Sequence, residues 1–390
     1  MGIDYSVLDL IKAHDYQNAI LEKLKLEREV FGHYRNLVVA ATGTGKTVIA
    51  AFDYKNFLES NKQANFLFIA HREEILKQSC RTFRTVLQDE NFGSLWYGGV
   101  EPSSYKHLFA SKDILNNRLD DLDLADDYFD YIIFDEVHHI AANSYRKILN
   151  RFKPKILLGL TATPERMDGK SILPYFNNRI AAEIRLPEAI DRKLLCPFQY
   201  FGVTDNIDLD NLKWAAGGYD KGELSRIYTL SGMMANRRAD LVVSSLLKYV
   251  TDIDDVKGLG FCVTIEHAEF MSNYFNEHGI PSMFLTGHSP EEERKTAKQR
   301  LVAGEVRFIF VVDIYNEGVD IPEVNTVLFL RPTESLTVFL QQLGRGLRLA
   351  EDKECLTVLD FIGQANKKYN FEDKFAALLS NTTRIVTREI

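Results

Sequence analysis

Short, continuous apolar runs recur along this chain, each followed by a polar loop and a helical pattern. Strands buried on both faces of a parallel sheet read as continuous apolar runs, whereas half-solvated strands alternate. The runs therefore predict an α/β protein with open, mainly parallel sheets. They fall into two sets: Asn36 to Ala40, Asn65 to Ala70, Tyr131 to Glu136 and Lys155 to Thr163, then Gly258 to Thr264, Ser282 to Gly287, Arg307 to Asp313, Thr326 to Pro332 and Cys355 to Ile362.

A polar segment rich in Gly and Asp, Thr204 to Glu223, separates the two sets and is the expected domain boundary. We therefore predict two tandem domains, 1–203 and 204–390, each with its own sheet. In open sheets of this kind, ligands bind outside the carboxyl ends of the strands. The residues that follow the apolar runs are thus the candidates for chemistry.

The composition is that of a globular protein, and 390 residues are too many for one ordinary core. A net charge of -8 argues against a basic-arm nucleic-acid binder, yet main-chain N–H groups can still hold phosphates. The four cysteines are dispersed, which indicates neither a zinc site nor a disulfide framework. No apolar run approaches the roughly 18 residues of a membrane span, so we expect a soluble cytoplasmic protein.

The loop after the first run has the composition of a phosphate-binding loop. The sequence A-A-T-G-T-G-K-T nearly fits G-x-x-x-x-G-K-[ST], with Ala40 at the first glycine position. Lys46 would reach the β- and γ-phosphates, and the Thr47 hydroxyl would ligate Mg²⁺. The alternative is a glycine turn that carries a surface lysine. The residues expected to face phosphate are Thr42, Gly43, Thr44, Gly45, Lys46 and Thr47.

Two adjacent acids end the third run and would complete a triphosphate site. Asp135 would hold the metal ion, directly or through water, and Glu136 would accept the proton of the attacking water. A solvated acidic loop is the alternative interpretation of this pair.

Two arginines near the end of the chain, Arg345 and Arg348, lie three residues apart and would share one face of a helix. Such arginines can neutralise charge on a γ-phosphate, which is worth about 10³–10⁵ in rate. A salt-bridged surface is the alternative. Because they belong to the second domain, hydrolysis would depend on closure of a cleft between the domains.

Eight segments, in this order, resemble the motif set of superfamily 2 helicases and translocases: HDYQNAI, AATGTGKT, FIAHREE, DEVHH, TATP, FCVTIEHAE, VVDIYNEGVDIP and QQLGRGLR. The closest likeness is to the motor parts of type I and type III restriction enzymes and to related bacterial DEAD/DEAH-type helicases. The resemblance runs from His14 to about Gly363. It implies two RecA-like domains that bind ATP and Mg²⁺ in a cleft between them, and it makes Ala40 an accepted variant of the loop.

The resemblance also assigns further nucleotide contacts. Gln17 would read the adenine edge, and Gly318 and Asp320 would approach the nucleotide from the second domain. His138 would bridge toward Gln341, although an ordinary loop histidine is an equal alternative.

Coupling and nucleic-acid contacts are implied in the same way. Thr161 and Thr163 would link the ATP site to the nucleic-acid site. The phosphate binders would be Arg72, Ser111, Thr264 and Thr286, for each of which an ordinary loop or cap residue is the alternative.

These expectations describe an ATP-driven motor that moves along duplex or single-stranded DNA. An RNA helicase is one alternative, and a nucleotide-gated clamp without translocation is another. The restriction-motor likeness favours DNA, and the presence of Glu136, Arg345 and Arg348 favours turnover.

The sequence shows no nuclease constellation. Relatives in this family usually carry nuclease or specificity domains elsewhere, so we expect a motor fragment of a larger restriction or defence protein. We expect no membrane partner, and nothing in the sequence requires more than a monomer.

Overall fold

The computed structural model describes residues 11–137, 143–164, 171–208, 214–215, 218–230, 232–312, 321–332 and 336–364. Contacts within the chain divide it into two compact units, Met1–Arg185 and Leu186–Ile390. No helix in the described part is long and apolar enough to cross a membrane.

The first unit is built on a seven-stranded sheet whose strand pairs are all parallel. Its strands are β1 (Arg35–Ala40), β2 (Phe66–Ala70), β3 (Ser94–Trp96), β4 (His107–Ser111), β5 (Tyr131–Phe134), β6 (Ile156–Thr161) and β7 (Ala182–Ile184). They lie in the order β3-β4-β2-β5-β6-β1-β7. The helices are α1 (Asp15–Glu29), α2 (Lys46–Ser60), α3 (Glu73–Leu87), α4 (Lys112–Arg118) and α5 (Asn143–Arg151).

Both faces of this sheet are covered, as β2 shows. Phe66 contacts Phe83 of α3 with ring centroids 5.0 Å apart. Leu67 and Ile69, which point to the opposite face, belong to a second apolar cluster with Phe134 of β5. Burial on both faces is the reason why these strands read as continuous apolar runs.

Helix α1 is tied to the unit by a buried ion pair. Arg28 donates to both carboxylate oxygens of Asp53 in α2, at 2.8 and 2.7 Å, and to the side-chain oxygen of Asn36 at 2.8 Å. The hydroxyl of Tyr131 donates to the same carboxylate. These bonds fix the position of α1, and therefore of the residues at its N-terminal end.

The second unit contains a six-stranded sheet, again with parallel pairs throughout, and a small antiparallel hairpin. The strands are β8 (Phe198–Asp208), β9 (Trp214–Ala215), β10 (Gly218–Tyr219), β11 (Gly258–Phe261), β12 (Ser282–Leu285), β13 (Phe308–Val311), β14 (Thr326–Phe329) and β15 (Leu356–Gln364). The large sheet has the order β12-β13-β11-β14-β15-β8, and β9 pairs with β10. The helices are α6 (Leu186–Asp191), α7 (Lys221–Ser225), α8 (Met233–Tyr249), α9 (Ile265–Glu277), α10 (Glu291–Val302) and α11 (Leu336–Gly346).

The predicted α/β class with two parallel sheets is confirmed, and every apolar run contains a strand. The domain boundary differs from the expected position near 203. Strand β8 pairs with β15 from Phe198 to Asp208, so it enters the polar segment that was expected to be a linker. Because of this pairing, residues 186–203 group with the second unit.

Candidate functional site

The ends of three adjacent strands bring the predicted phosphate loop and the acids to one edge of the first sheet. In the register, Val39 of β1 pairs with Thr161 of β6, and Gly159 of β6 pairs with Phe134 of β5. Neighbouring strands lie about 4.8 Å apart. The loop after β1 and the acids after β5 are therefore two strand positions apart, with Thr161 between them.

The loop is a tight turn that leads directly into helix α2. Gly43 and Gly45 have φ values of 92° and 76°, which favour glycine. The N–H and the hydroxyl of Thr44 both donate to the carbonyl of Ala41, at 3.2 and 2.7 Å. Helix α2 begins at Lys46, and the first amides of a helix have no intrahelical acceptor. The turn therefore presents N–H groups and the positive end of a helix dipole to an anion.

Two side chains of the loop are placed for a polyanion. The half-buried ammonium of Lys46 donates to the carbonyl of Ala40 at 3.3 Å, which folds it back over the loop. The hydroxyl oxygen of Thr42 is buried and has no hydrogen-bond partner among the described residues. An unsatisfied buried hydroxyl costs about 1–3 kcal/mol. A ligand oxygen at the loop would relieve this cost, so the loop fits a phosphate group.

The two acids are buried rather than solvated. Asp135 is 6% exposed and Glu136 is 8% exposed, so the alternative of a solvated acidic loop is wrong. The backbone N–H of Asp135 donates to the carbonyl of Ile69 at 2.9 Å. The side-chain Oδ1 of Asp135 accepts the N–H of Glu136 at 3.0 Å. Glu136 has a φ of 51°, a left-handed conformation that is uncommon and costly for residues other than glycine. The backbone is thus held in an unfavourable conformation at the position of the candidate base.

Thr161 and Thr163 form a closed turn at the end of β6. The hydroxyl of Thr161 donates to the Thr163 carbonyl at 2.8 Å and accepts the Thr163 N–H at 3.1 Å. Both residues are buried. The turn lies between the strands that carry the loop and the acids.

Helix α1 contacts the loop through Tyr16 and Gln17. The hydroxyl of Tyr16 donates to the carbonyl of Thr44 at 2.6 Å. Gln17 is 2% exposed and accepts the N–H of His14 at 2.9 Å, and a Cβ at position 45 would lie 2.7 Å from its Nε2. Burial raises the pKa of Tyr16, which keeps its hydroxyl protonated as a donor. Sequence reasoning missed Tyr16, whose only signal was its place beside Gln17.

The four candidate nucleic-acid contacts occupy helix caps or turns. Ser111 is the N-cap of α4 and accepts the N–H of Ile114 at 3.2 Å, and Arg72 stands at the N-cap position of α3. Ser111 also pairs with Ala70, so the ends of β4 and β2 are adjacent. Capping uses an acceptor lone pair of the serine hydroxyl and leaves its hydrogen for another partner.

The two candidates in the second unit also occupy a helix cap and a turn. Thr264 caps α9, where it accepts the N–H of His267 at 3.3 Å, and its hydroxyl lies 2.7 Å from that of Ser225. Thr286 accepts the N–H of His288 at 3.2 Å in a turn after β12. The cap interpretation therefore holds for Ser111 and Thr264, and it is compatible with a phosphate contact.

The expected shared helix face of Arg345 and Arg348 is wrong. Helix α11 ends at Gly346, so Arg345 lies in its last turn and Arg348 lies beyond it. A Cβ at position 346 would lie 2.6 Å from the side chain of Leu356, and the carbonyl of Leu347 accepts the N–H of Cys196 at 2.8 Å. This close packing on the sheet turns the chain out of the helix. Gln341, in the same helix, is buried.

Three further candidates, His138, Gly318 and Asp320, lie outside the described residues. Within the described part of the chain, no cluster of three or more His, Cys, Asp or Glu side chains could hold a metal ion alone. The hydroxyl of Thr47 and the carboxylate of Asp135 are the ligand types that Mg²⁺ accepts when phosphate and water complete its shell.

Two family models match this chain. A model described as the type III restriction enzyme res subunit matches residues 10–166, and one described as the helicase conserved C-terminal domain matches residues 242–350. The chain belongs to the superfamily 2 helicases and translocases. The motif resemblance in the sequence is thereby confirmed, as is its relation to the motor subunits of restriction enzymes.

Relatives of this superfamily 2 chain include ATP-dependent helicase IRC3 of Saccharomyces cerevisiae, 30% identical over 345 residues that cover 84% of the chain and 48% of IRC3. The type I restriction enzyme EcoAI endonuclease subunit of Escherichia coli is 27% identical over 361 residues, which cover 85% of the chain and 44% of the EcoAI subunit. The solved structure of the ATP-dependent type ISP restriction-modification enzyme LlaBIII bound to DNA shares the fold, with a TM-score of 0.64 and 16% identity. The match covers 94% of the chain and 29% of LlaBIII. The chain spans about half the length of the two curated relatives.

Proposed function

We propose that this chain is an ATP-hydrolysing motor that moves along DNA. The observation that carries the proposal is the edge of the first sheet, where a phosphate-type loop with an unsatisfied Thr42 hydroxyl adjoins the buried acids Asp135 and Glu136. Membership of the superfamily 2 helicases supports the choice of ATP as ligand. The relatives named as a restriction endonuclease subunit and as an enzyme bound to DNA support DNA as the track.

In this proposal the first unit holds the triphosphate and activates water. The loop amides and Lys46 bind the β- and γ-phosphates, and Gln17 contacts adenine. Thr47 and Asp135 would hold Mg²⁺, which supplies neutralisation of the phosphate charge when bound. Glu136 accepts the proton of the attacking water, and the β1-β6-β5 order places it at the same edge of the sheet as the loop, two strand positions away.

The second unit supplies positive charge for hydrolysis. Arg345 and Arg348 would neutralise the γ-phosphate, and Gln341, Gly318 and Asp320 would contact the nucleotide. Thr161, Thr163 and His138 would couple the nucleotide to the track.

Contacts to the track are proposed to go to its phosphates. The side chains concerned are Arg72, Ser111, Thr264 and Thr286, in both units. Phosphate contacts carry no sequence information, so movement would be largely independent of sequence.

The test is phosphate release from ATP and Mg²⁺, alone and with duplex DNA, single-stranded DNA or single-stranded RNA. We expect stimulation by DNA, and a loss of at least 100-fold in kcat for Glu136→Gln, because a general base contributes about 10²–10⁴-fold. Glu59→Gln is the matched control, since Glu59 is an exposed glutamate of α2 in the same unit.

The other outcomes select the alternatives. Stimulation by RNA alone would assign an RNA helicase. ATP binding without turnover under every condition would assign a nucleotide-gated clamp. Undiminished turnover in Glu136→Gln would remove that residue from the mechanism.

A further inference from the structure

The backbone between Arg345 and Arg348 is anchored at every carbonyl. The ammonium of Lys353 donates to the carbonyls of Gly346 and Arg348, at 2.5 and 2.9 Å. The carbonyl of Leu347, between them, accepts the N–H of Cys196 at 2.8 Å. The last carbonyls of a helix have no intrahelical donor, so these bonds satisfy them and fix the path of the chain after α11.

The same ammonium joins a second segment to this one. Lys353 donates to the carbonyl of Pro322 at 2.9 Å. An ammonium has three hydrogens, and Lys353 directs them at three backbone carbonyls. Pro322 follows Asp320 by two residues, so one side chain links the segment after α11 to the segment that the helicase motifs assign to the nucleotide.

Local backbone geometry delivers Lys353 to this position. The N–H of Lys353 donates to the carbonyl of Ala350 at 3.3 Å in a turn where Asp352 has a φ of 65°. The turn reverses the chain between α11 and β15. Burial lowers the pKa of Lys353, while the Cys196 thiol, Glu323 and Cys355 act in the opposite direction. The side chain is thus enclosed by its acceptors rather than directed into water.

We propose that Lys353 is a positioning residue for Arg345 and Arg348. The inference rests on the proposed function, because it assigns to Lys353 the placement of two arginines whose role is to meet the γ-phosphate. Lys353 itself does not touch the nucleotide. It fixes the backbone from which both guanidinium groups extend, and misplacement of a catalytic group by about 1 Å costs about 100-fold in rate.

The first experiment compares Lys353→Met and Lys353→Arg with wild type in DNA-stimulated ATP hydrolysis. We expect Lys353→Met to lower kcat by about 10–100-fold while the KM for ATP changes less than twofold, because the first unit still holds the nucleotide. Lys353→Arg keeps a cation and several N–H donors and should recover most of the loss. Lys295→Met is the matched control, since Lys295 is exposed on α10 of the same unit.

A mutant cycle with the variant Arg345→Ala/Arg348→Ala separates positioning from general stability. If Lys353 acts through the two arginines, Lys353→Met should cost less than about twofold in kcat in the background that lacks both. Full additivity in the cycle, or a kcat for Lys353→Met within twofold of wild type, would overturn the inference. Urea unfolding of wild type and Lys353→Met shows whether the loss of kcat reflects a loss of fold. If Lys353→Met is unfolded, the kcat of Lys353→Arg decides, and a kcat that stays as low as that of Lys353→Met would overturn the inference. A wild-type protein that never releases phosphate would instead refute the proposed function, and the inference with it.

Discussion

The phenol of Tyr16 fixes one peptide unit of the phosphate loop. Its hydroxyl donates to the Thr44 carbonyl at 2.6 Å, and in a trans peptide the carbonyl and the N–H point in opposite directions. The bond therefore directs the Gly45 N–H away from α1, toward the proposed phosphate side. Tyr16→Phe removes the bond and keeps the ring. We expect the affinity for ADP to fall by about 5–10-fold, because the lost hydrogen bond contributes about 1 kcal/mol. The kcat should stay within twofold of wild type.

Equilibrium binding of ADP and steady-state hydrolysis measure this effect. Tyr34→Phe is the control, because Tyr34 is an exposed tyrosine of the same unit. Equal ADP affinity in Tyr16→Phe and Tyr34→Phe would contradict the role of the hydroxyl.

The residues that sequence reasoning found and missed differ in what their side chains contact. Lys46, Asp135 and Glu136 belong to motifs because their own functional groups are the ones that the chemistry needs, and their positions at strand ends could be predicted. Tyr16 and Lys353 bind backbone carbonyls. Every residue has a carbonyl, so no pattern of residue types marks such an acceptor, and only the folded chain reveals the pairing.

At the scale of elements, α1 depends on one buried ion pair. Arg28 makes a bidentate contact with Asp53, and both side chains are at least nine-tenths buried. Arg28→Met would leave a buried carboxylate that keeps only the Tyr131 hydroxyl of these partners. We expect the free energy of unfolding of the first unit to fall by about 3 kcal/mol, the usual cost of breaking a buried pair. Since α1 carries Tyr16 and Gln17, the ADP affinity should fall as well.

Urea unfolding followed by circular dichroism measures the change, with Arg35→Met, an exposed arginine at the start of β1, as the control. An Arg28→Met protein within 1 kcal/mol of the control would show that α1 docks without the pair.

The central strands and the edge strand β12 were predictable from sequence, and the other strands at or near the sheet edges were not. Strands β3, β7 and β8 lie at edges of their sheets, and β4 lies next to β3. Between residues 198 and 204, β8 has only half-buried and exposed positions, so it lacks the continuous apolar run of a strand buried on both faces. Its polar composition is also what placed the expected domain boundary too late along the chain.

At the scale of the whole molecule, three parts of the proposed nucleotide site lie in the first unit. They are the phosphate loop, the acids Asp135 and Glu136, and helix α1, which carries the candidate adenine contact Gln17. Nucleotide should therefore stabilise the first unit directly, by about 2.7 kcal/mol at a ligand concentration of 100 times Kd. The two tryptophans report on the units separately, since Trp96 lies in β3 and Trp214 in β9. We expect ADP with Mg²⁺ to raise the urea midpoint of the Trp96 signal and to leave that of Trp214 nearly unchanged.

Trp214→Phe and Trp96→Phe variants isolate the two signals in the full chain. An equal ADP-induced shift of both transitions would contradict the expectation that the first unit makes most of the contacts to ADP, because the second unit would then gain as much stability from the nucleotide.

The strand order of the second sheet places β8, the first described strand of that unit, beside β15, the last described one. Strand β15 lies between β14 and β8, so β8 has no neighbour in the sheet until β15 has been made. A ribosome releases Phe198–Asp208 roughly 150 residues before their partner, at about 5–20 residues per second. The first unit can complete its sheet as soon as β7 emerges, whereas β8 waits unpaired for many seconds. During that interval, the nascent chain exposes a strand edge that other chains or chaperones can occupy.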